Sequence, residues 1–202
     1  MNHFDAMYIM YMPQRKQYME QVVDHYGFSD CFDISYVPAV NRSSIDKQWF
    51  QTKGFISAPF KLGIGKIANH LTLLKTLRLF LFHSENADSK AQNRKDHSWM
   101  ESRCIILEDD ISIVDSEELP EWWQHFSNIA GDMKPLNWDY VNFGRCYASC
   151  KSDDHLTTDI VHYTQAACAH AVGYSSACAM KAMQTYLSRP DRSNGFIIAD
   201  LI

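Results

Sequence analysis

The sequence predicts an α/β fold on three observations. Short apolar runs alternate with stretches of helical period, Pro and Gly stand where helices would begin and end, and one buried-looking run opens directly into three consecutive carboxylates. The first run, residues 6–11 (AMYIMY), reads as a strand. Pro13 suits a first helical turn and Gly27 the residue after a last one, giving a helix over 13–26 that buries Tyr18, Met19, Val22, Val23 and Tyr26. A second strand over 33–40 completes a strand–helix–strand unit, the simplest opening of an α/β sheet.

Residues 41–62 are mixed and polar, with a short helical piece near 44–51. The strongest helix covers 64–83, where Ile64, Ile67, Leu71, Leu74, Leu77 and Leu81 recur every three or four residues. Residues 84–102 are polar and read as an exposed loop, the expected first site of limited proteolysis. After it come a buried strand over 103–107, a helix over 117–129 with Trp122, Trp123 and Phe126, and a strand over 139–143. A polar loop over 145–158 and a strand over 167–174 follow, and Ser175 or Ser176 caps a helix over 176–188. No repeat or linker divides the 202 residues, so one domain, 1–202, is expected.

Composition excludes several classes. With 46% hydrophobic and 21% charged residues the chain has the balance of a folded domain, not of a disordered one. A net charge of −5 and a pI near 5.9 leave no basic footprint for nucleic acid. No run reaches the roughly 18 apolar residues of a bilayer span. Residues 1–12 contain His3 and Asp5 and no basic stretch, so they do not read as a signal peptide. The six cysteines, at 31, 104, 146, 150, 168 and 178, form no C-x-x-C pair and read as reduced thiols of a cytoplasmic protein. His162, Cys168 and His170 fit no usual zinc-ligand rhythm and read as incidental.

The sharpest chemical feature is Glu108-Asp109-Asp110 at the end of the 103–107 strand. Like charges crowded together raise one another's pKa, and a hard divalent cation relieves that repulsion. An acidic turn after a strand is the plainer alternative. Arg15 stands in the first turn of helix 13–26, near the strand ends where open α/β sheets bind ligands, and could meet a phosphate as a planar fork. The alternative is a solvated surface arginine. His70 rides on the apolar face of helix 64–83, as a core histidine or as a donor to a diphosphate. Gly63 and Gly65 before that helix are a weak sign of close backbone approach.

Together and in this order, the pieces resemble glycosyltransferase family 25, the lipopolysaccharide-type and procollagen β-galactosyltransferases. The opening strand and arginine helix look like Tyr8-Ile9-Met10-Tyr11 with Pro13-Gln14-Arg15, and the "AVDG"-like segment is similar to Pro38-Ala39-Val40-Asn41. The "GxxGCxxSH" helix resembles residues 62–70, ending in His70, and "LEDD" is Leu107-Glu108-Asp109-Asp110 unchanged. "WDxxxLG" looks like residues 138–144, "aYxxSxxgA" resembles residues 173–177, and a late acidic "pxD" matches Asp200. The match spans 8–200, with LEDD and the strand-plus-histidine-helix order its more specific parts. Asn41 stands where the family has aspartate, Lys66 where it has cysteine and Asn69 where it has serine. Family members usually continue beyond the position of Asp200, so an acceptor side that is minimal, altered or supplied from elsewhere is expected.

The resemblance implies a GT-A-like fold, a central, mostly parallel sheet with helices on both faces. It implies metal-dependent, inverting transfer of a hexose, galactose or glucose, from a nucleotide sugar such as a UDP-sugar to an acceptor hydroxyl. The acceptor would be a glycan, a lipid-linked saccharide or a protein. Asp110 would ligate Mn²⁺ or Mg²⁺, with Glu108 and Asp109 at the metal and the ribose. Arg15 and His70 would face the diphosphate, Asn41 the nucleotide, and Asp200 would serve as general base or support the metal. Two rivals remain at this point. One is a nucleotidyltransferase or related metal-dependent transferase on a similar sheet; the other is a non-catalytic nucleotide-sugar-binding or interaction protein.

Overall fold

Four consecutive buried side chains, Met7 to Met10, make Ala6–Tyr11 a strand covered on both faces, β1. In the computed structural model the described residues are 4–52, 63–90, 101–113, 115–143 and 170–188, with four two-residue strands between 147 and 167. The chain forms two compact units, one from Met1–Tyr36 with Arg103–Ser175 and one from Val37–Ser102 with Ser176–Ile202.

The first unit is built on a five-stranded sheet. After β1 a 3-10 turn, Pro13–Arg15, leads into α1 (Lys16–Tyr26). Gly27 closes α1 at φ 62°, a left-handed conformation that glycine adopts without a Cβ penalty, and its N–H donates to the Asp24 carbonyl at 3.2 Å. β2 (Asp33–Pro38) follows; α2 (Lys47–Thr52) and α3 (Ile64–Lys90) then precede β3 (Arg103–Leu107). α4 (Leu119–Met133) and β4 (Tyr140–Asn142) come next. The short strands β5 (Tyr147–Ala148), β6 (Asp154–His155), β7 (Val161–His162) and β8 (Ala166–Ala167) pair as β5 with β8 and β6 with β7, outside the main sheet. β9 (Ala171–Ser175) and α5 (Ser176–Ser188) complete the described chain.

The main sheet has the order β2-β1-β3-β9-β4, which places β3 at its centre. β1 and β3 are parallel, whereas β9 runs antiparallel to both β3 and β4. The sheet is therefore mixed: β1, β3 and β4 run one way and β9 runs against them. A strand buried on both faces is a continuous apolar run whichever way its neighbours point. β9 reads Ala-Val-Gly-Tyr-Ser, and nothing in that pattern encodes direction.

Alternation along the strands sorts the core. Met7, Ile9, Ile105 and Leu107 share one cluster with Met19, Val22, Val23 and Tyr26 of α1. Trp122, Trp123 and Phe126 of α4 pack against the same cluster, with the Trp122 and Phe126 rings stacked at 5.5 Å. Trp123 Nε1 donates to the Tyr26 carbonyl at 3.0 Å, joining α4 to the end of α1. Tyr8, Cys104, Ile106, Val172 and Tyr174 point to the other face and are also buried.

Burial pushes the Tyr8 phenol well above its usual value, and negative charge at Cys104 and Asp33 adds to the rise. The folded state thus holds a proton that the unfolded chain gives up above pH ~10, so stability falls as pH rises past that value. Replacing Tyr8 by Phe is expected to flatten this alkaline loss by up to about 1.4 kcal/mol per pH unit. Chemical denaturation from pH 9 to 11 measures it; identical slopes in parent and variant would refute the assignment.

In the second unit α3 runs to Lys90, beyond the expected end at 83. Residues 84–90, expected in a loop, are helical; 91–100 lie outside the described residues. Of the expected stripe Ile67, Leu74 and Leu77 are buried, Leu71 and Leu81 are partly buried and Ile64 is exposed; Phe80 is also buried, as are Thr72, Thr76 and Ser84. Their hydroxyls donate to the carbonyls four residues back, which satisfies them inside an apolar face. Thr72 Oγ1 also accepts the Val40 N–H at 2.9 Å, so this unpredicted polar position pins the segment after β2 to α3. No helix among the described residues is long and apolar enough to cross a membrane. Cys31, Cys104 and Cys178 form no disulfide among the described residues; the other three cysteines lie outside them.

Candidate functional site

The apolar run of β3 stops at Leu107, and the next three residues carry the strand's alternation one step into a turn. Ile105 and Leu107 face the α1 cluster. On the same period Asp109 falls on the α1 side, and Glu108 and Asp110 fall opposite. The contacts follow that sorting.

Asp109 Oδ2 accepts the backbone N–H of Met12 at 2.5 Å, and Asp109 Oδ1 lies 3.7 Å from Arg15 Nη1. Arg15 also stands over the Tyr18 ring at 5.4 Å. Farther along the turn, the Tyr18 hydroxyl donates to the Ile111 carbonyl at 2.8 Å and the Tyr26 hydroxyl to the Ser112 carbonyl at 3.2 Å. Tyr18 and Tyr26 are eight residues apart, close to two full helical turns, so one face of α1 serves both bonds. The stripe residues expected to fill core also fasten the acidic turn through their hydroxyls.

On the opposite side, β9 brings His170 to the turn. Leu107 pairs with Ala171 in the antiparallel register, and the Glu108 N–H donates to the His170 carbonyl at 2.8 Å. His170 Nδ1 lies 2.8 Å from Asp110 Oδ1 and 3.6 Å from Glu108 Oε2. One ligand atom from each of Glu108, Asp110 and His170 falls within 4.8 Å of the others. Glu108 and His170 are partly buried and Asp110 is exposed, so the cluster is open to solvent on the Asp110 side.

Two carboxylates and an imidazole are a donor set that a divalent cation of the Mn²⁺ type accepts, since carboxylate suits the harder ions and imidazole the transition metals. Histidine 170 is the residue that sequence reasoning set aside. Its place beside Asp110 depends on β9 lying antiparallel beside β3, and ligand-spacing rules look only along the chain.

Of the other expected residues, Asn41 and His70 belong to the second unit. Asn41 Oδ1 accepts from the Ser43 N–H at 3.0 Å and the Ser43 hydroxyl at 2.9 Å, capping the 3-10 turn Arg42–Ser44. His70 is buried at 7% exposure, and its Nδ1 donates to the Lys66 carbonyl at 2.7 Å on its own helix. Their expected ligand roles rest on the resemblance alone. Asp200 lies outside the described residues.

The structure therefore assembles Arg15, Glu108, Asp109 and Asp110, from four positions of the expected set, and adds His170. No protein-family model matches the sequence, and no curated protein matches it.

Proposed function

We propose that this chain is a nucleotide-sugar-dependent hexosyltransferase of the GT-A type that binds its donor through a divalent cation. The observation that carries the reading is the convergence of Glu108, Asp110 and His170 at the carboxyl end of the central strand, with Arg15 at the start of α1 facing the intervening Asp109. In α/β sheets that end is where ligands bind. The resemblance of the LEDD segment and its surroundings to glycosyltransferase family 25 supplies the reaction class, by analogy.

Glu108, Asp110 and His170 would hold Mn²⁺ or Mg²⁺. When bound, the cation neutralises charge that develops on a departing diphosphate. Arg15 has its side chain 39% exposed, enough to offer two parallel N–H groups to a phosphate while it rests on Tyr18. In the inverting reaction the acceptor hydroxyl oxygen bonds to the anomeric carbon, the bond from that carbon to the diphosphate oxygen breaks, and the nucleoside diphosphate leaves. The acceptor's proton passes to a general base, for which the resemblance offers Asp200.

Calorimetry with UDP tests the reading. Binding is expected with Mn²⁺ present and at least about tenfold weaker binding with chelator, since a cation held by Glu108, Asp110 and His170 would supply positive charge for the diphosphate. Equal affinity in both conditions would overturn the metal-dependent reading. A parallel incubation with UDP-sugars and with nucleoside triphosphates separates transferase classes: release of UDP supports the proposal, and consumption of a triphosphate alone replaces it with nucleotidyl transfer.

A further inference from the structure

We infer that Asp109 is a positioning residue that ties the acidic turn to the β1–α1 junction and leaves Glu108, Asp110 and His170 to form the cation site. This rests on the metal-binding reading above and assigns a separate task to the middle carboxylate.

Three observations separate Asp109 from its neighbours. Its carboxylate is absent from the group of ligand atoms that converge within 4.8 Å, although it lies between two members in sequence. Both of its oxygens face the other way, one accepting the Met12 N–H at 2.5 Å and one 3.7 Å from Arg15. Its side chain is also the more enclosed, 16% exposed against 44% for Asp110. A carboxylate with one oxygen bonded to a backbone N–H and the other facing a guanidinium has its charge compensated within the protein, and the N–H bond fixes its orientation.

The consequence lies in what it holds. Met12 follows β1 directly, and Asp109 is the second residue after β3, so the bond joins the ends of two parallel neighbouring strands. Two residues later the Tyr18 and Tyr26 hydroxyls take the carbonyls of Ile111 and Ser112. The turn is thus held on the α1 side at three successive points. With 109, 111 and 112 held there, Glu108 and Asp110 are presented to His170 on the far side without having to be pulled together by the cation. Preorganised ligands bind more tightly because the ordering is done in advance.

Mn²⁺ titration followed by electron paramagnetic resonance, on the full chain, tests this with three variants. Asp109→Asn keeps an oxygen that accepts the Met12 N–H, so its Mn²⁺ affinity is expected within about threefold of the parent. Asp109→Ala removes the tie and is expected to bind about tenfold more weakly, the scale of a lost outer-shell partner. Tyr18→Phe removes one hydroxyl and is expected to weaken binding about threefold, the scale of one ordinary hydrogen bond. It gives an answer even if the alanine variant fails to fold.

Rescue by asparagine is the readout that direct ligation would not give. If Asp109→Asn loses as much affinity as Asp109→Ala, or more, Asp109 is itself a ligand and the inference is wrong. Parental affinity in both Asp109→Ala and Tyr18→Phe would show that the tie positions nothing. If the parent binds no Mn²⁺, the metal reading itself fails, a result distinct from either of these.

Discussion

Asp110→Asn is expected to weaken Mn²⁺ binding by about a hundredfold or more, with a melting temperature within a few degrees of the parent. Residues that only orient a ligand cost about 10- to 100-fold when changed, so loss of a ligating charge should reach or exceed the upper end. Asparagine retains an acceptor oxygen of the same size, which separates the charge from the shape. Asp110 is exposed, and the partner it meets is His170 at 2.8 Å, so little of the packed core depends on it. His170→Gln is expected to act in the same direction, and the two changes together should cost less than their sum because they dismantle one cluster. Isothermal titration with Mn²⁺ measures all three. Unaltered affinity in Asp110→Asn would remove the cation site altogether.

The second large effect is on stability. A Cβ built on Gly173 would lie 2.6 Å from Val141 Cγ1, 3.2 Å from Phe4 Cε1 and 3.3 Å from Trp138 Cη2. Val141 faces Gly173 directly in the β4–β9 register and is stiff at χ1, so it cannot swing aside cheaply. Phe4 and Trp138 are packed together with ring centroids 5.6 Å apart, which closes the other escape. Gly173→Ala is therefore expected to destabilise by about 1–3 kcal/mol, the range for overpacking a filled core. In a chain of this length that lowers the melting temperature by roughly 2–12 °C. Adding Val141→Ala should recover part of the loss, giving a coupling that a double-mutant cycle detects. Strict additivity of the two changes would show that crowding against Val141 is not the cause.

Much of the fold was legible because local chemistry and tertiary position agreed. Pro13 and Gly27 bracket the first helical segment as their backbone preferences demand, and the apolar runs of β1 and β3 have no other stable place than a sheet interior. What could not be read depends on partners far away in sequence. The direction of β9 is one case, and His170 is its chemical consequence: the imidazole reaches Asp110 across a strand pairing 60 residues distant. Thr72 and Thr76 are another, since a buried hydroxyl bonded to its own helix looks like a surface residue in any hydropathy pattern. For the candidate site, Glu108, Asp109, Asp110 and Arg15 were visible as an acidic strand end and an arginine in a first helical turn. Their sorting to opposite sides of the turn was not, because it follows from which face of β3 each one takes.

The pairing of β1 with β3 also governs how the polypeptide can be made. Ala6 aligns with Cys104, and the Arg103 N–H bonds Asp5 across 98 positions of chain. Closing a flexible loop of that length costs about 4 kcal/mol in chain entropy before any contact repays it, and such distant pairings slow folding. During synthesis β2 leaves the ribosome soon after β1, but β3 follows only after the segment between Pro38 and Arg103 has been added. At roughly 5–20 residues per second that is an interval of about 3–13 s. Throughout it the apolar β1, with Tyr8 and Ile9 destined for full burial, presents an open hydrogen-bonding edge. The nascent chain is therefore most exposed to mispairing, and most dependent on chaperones, before its central strand has been translated.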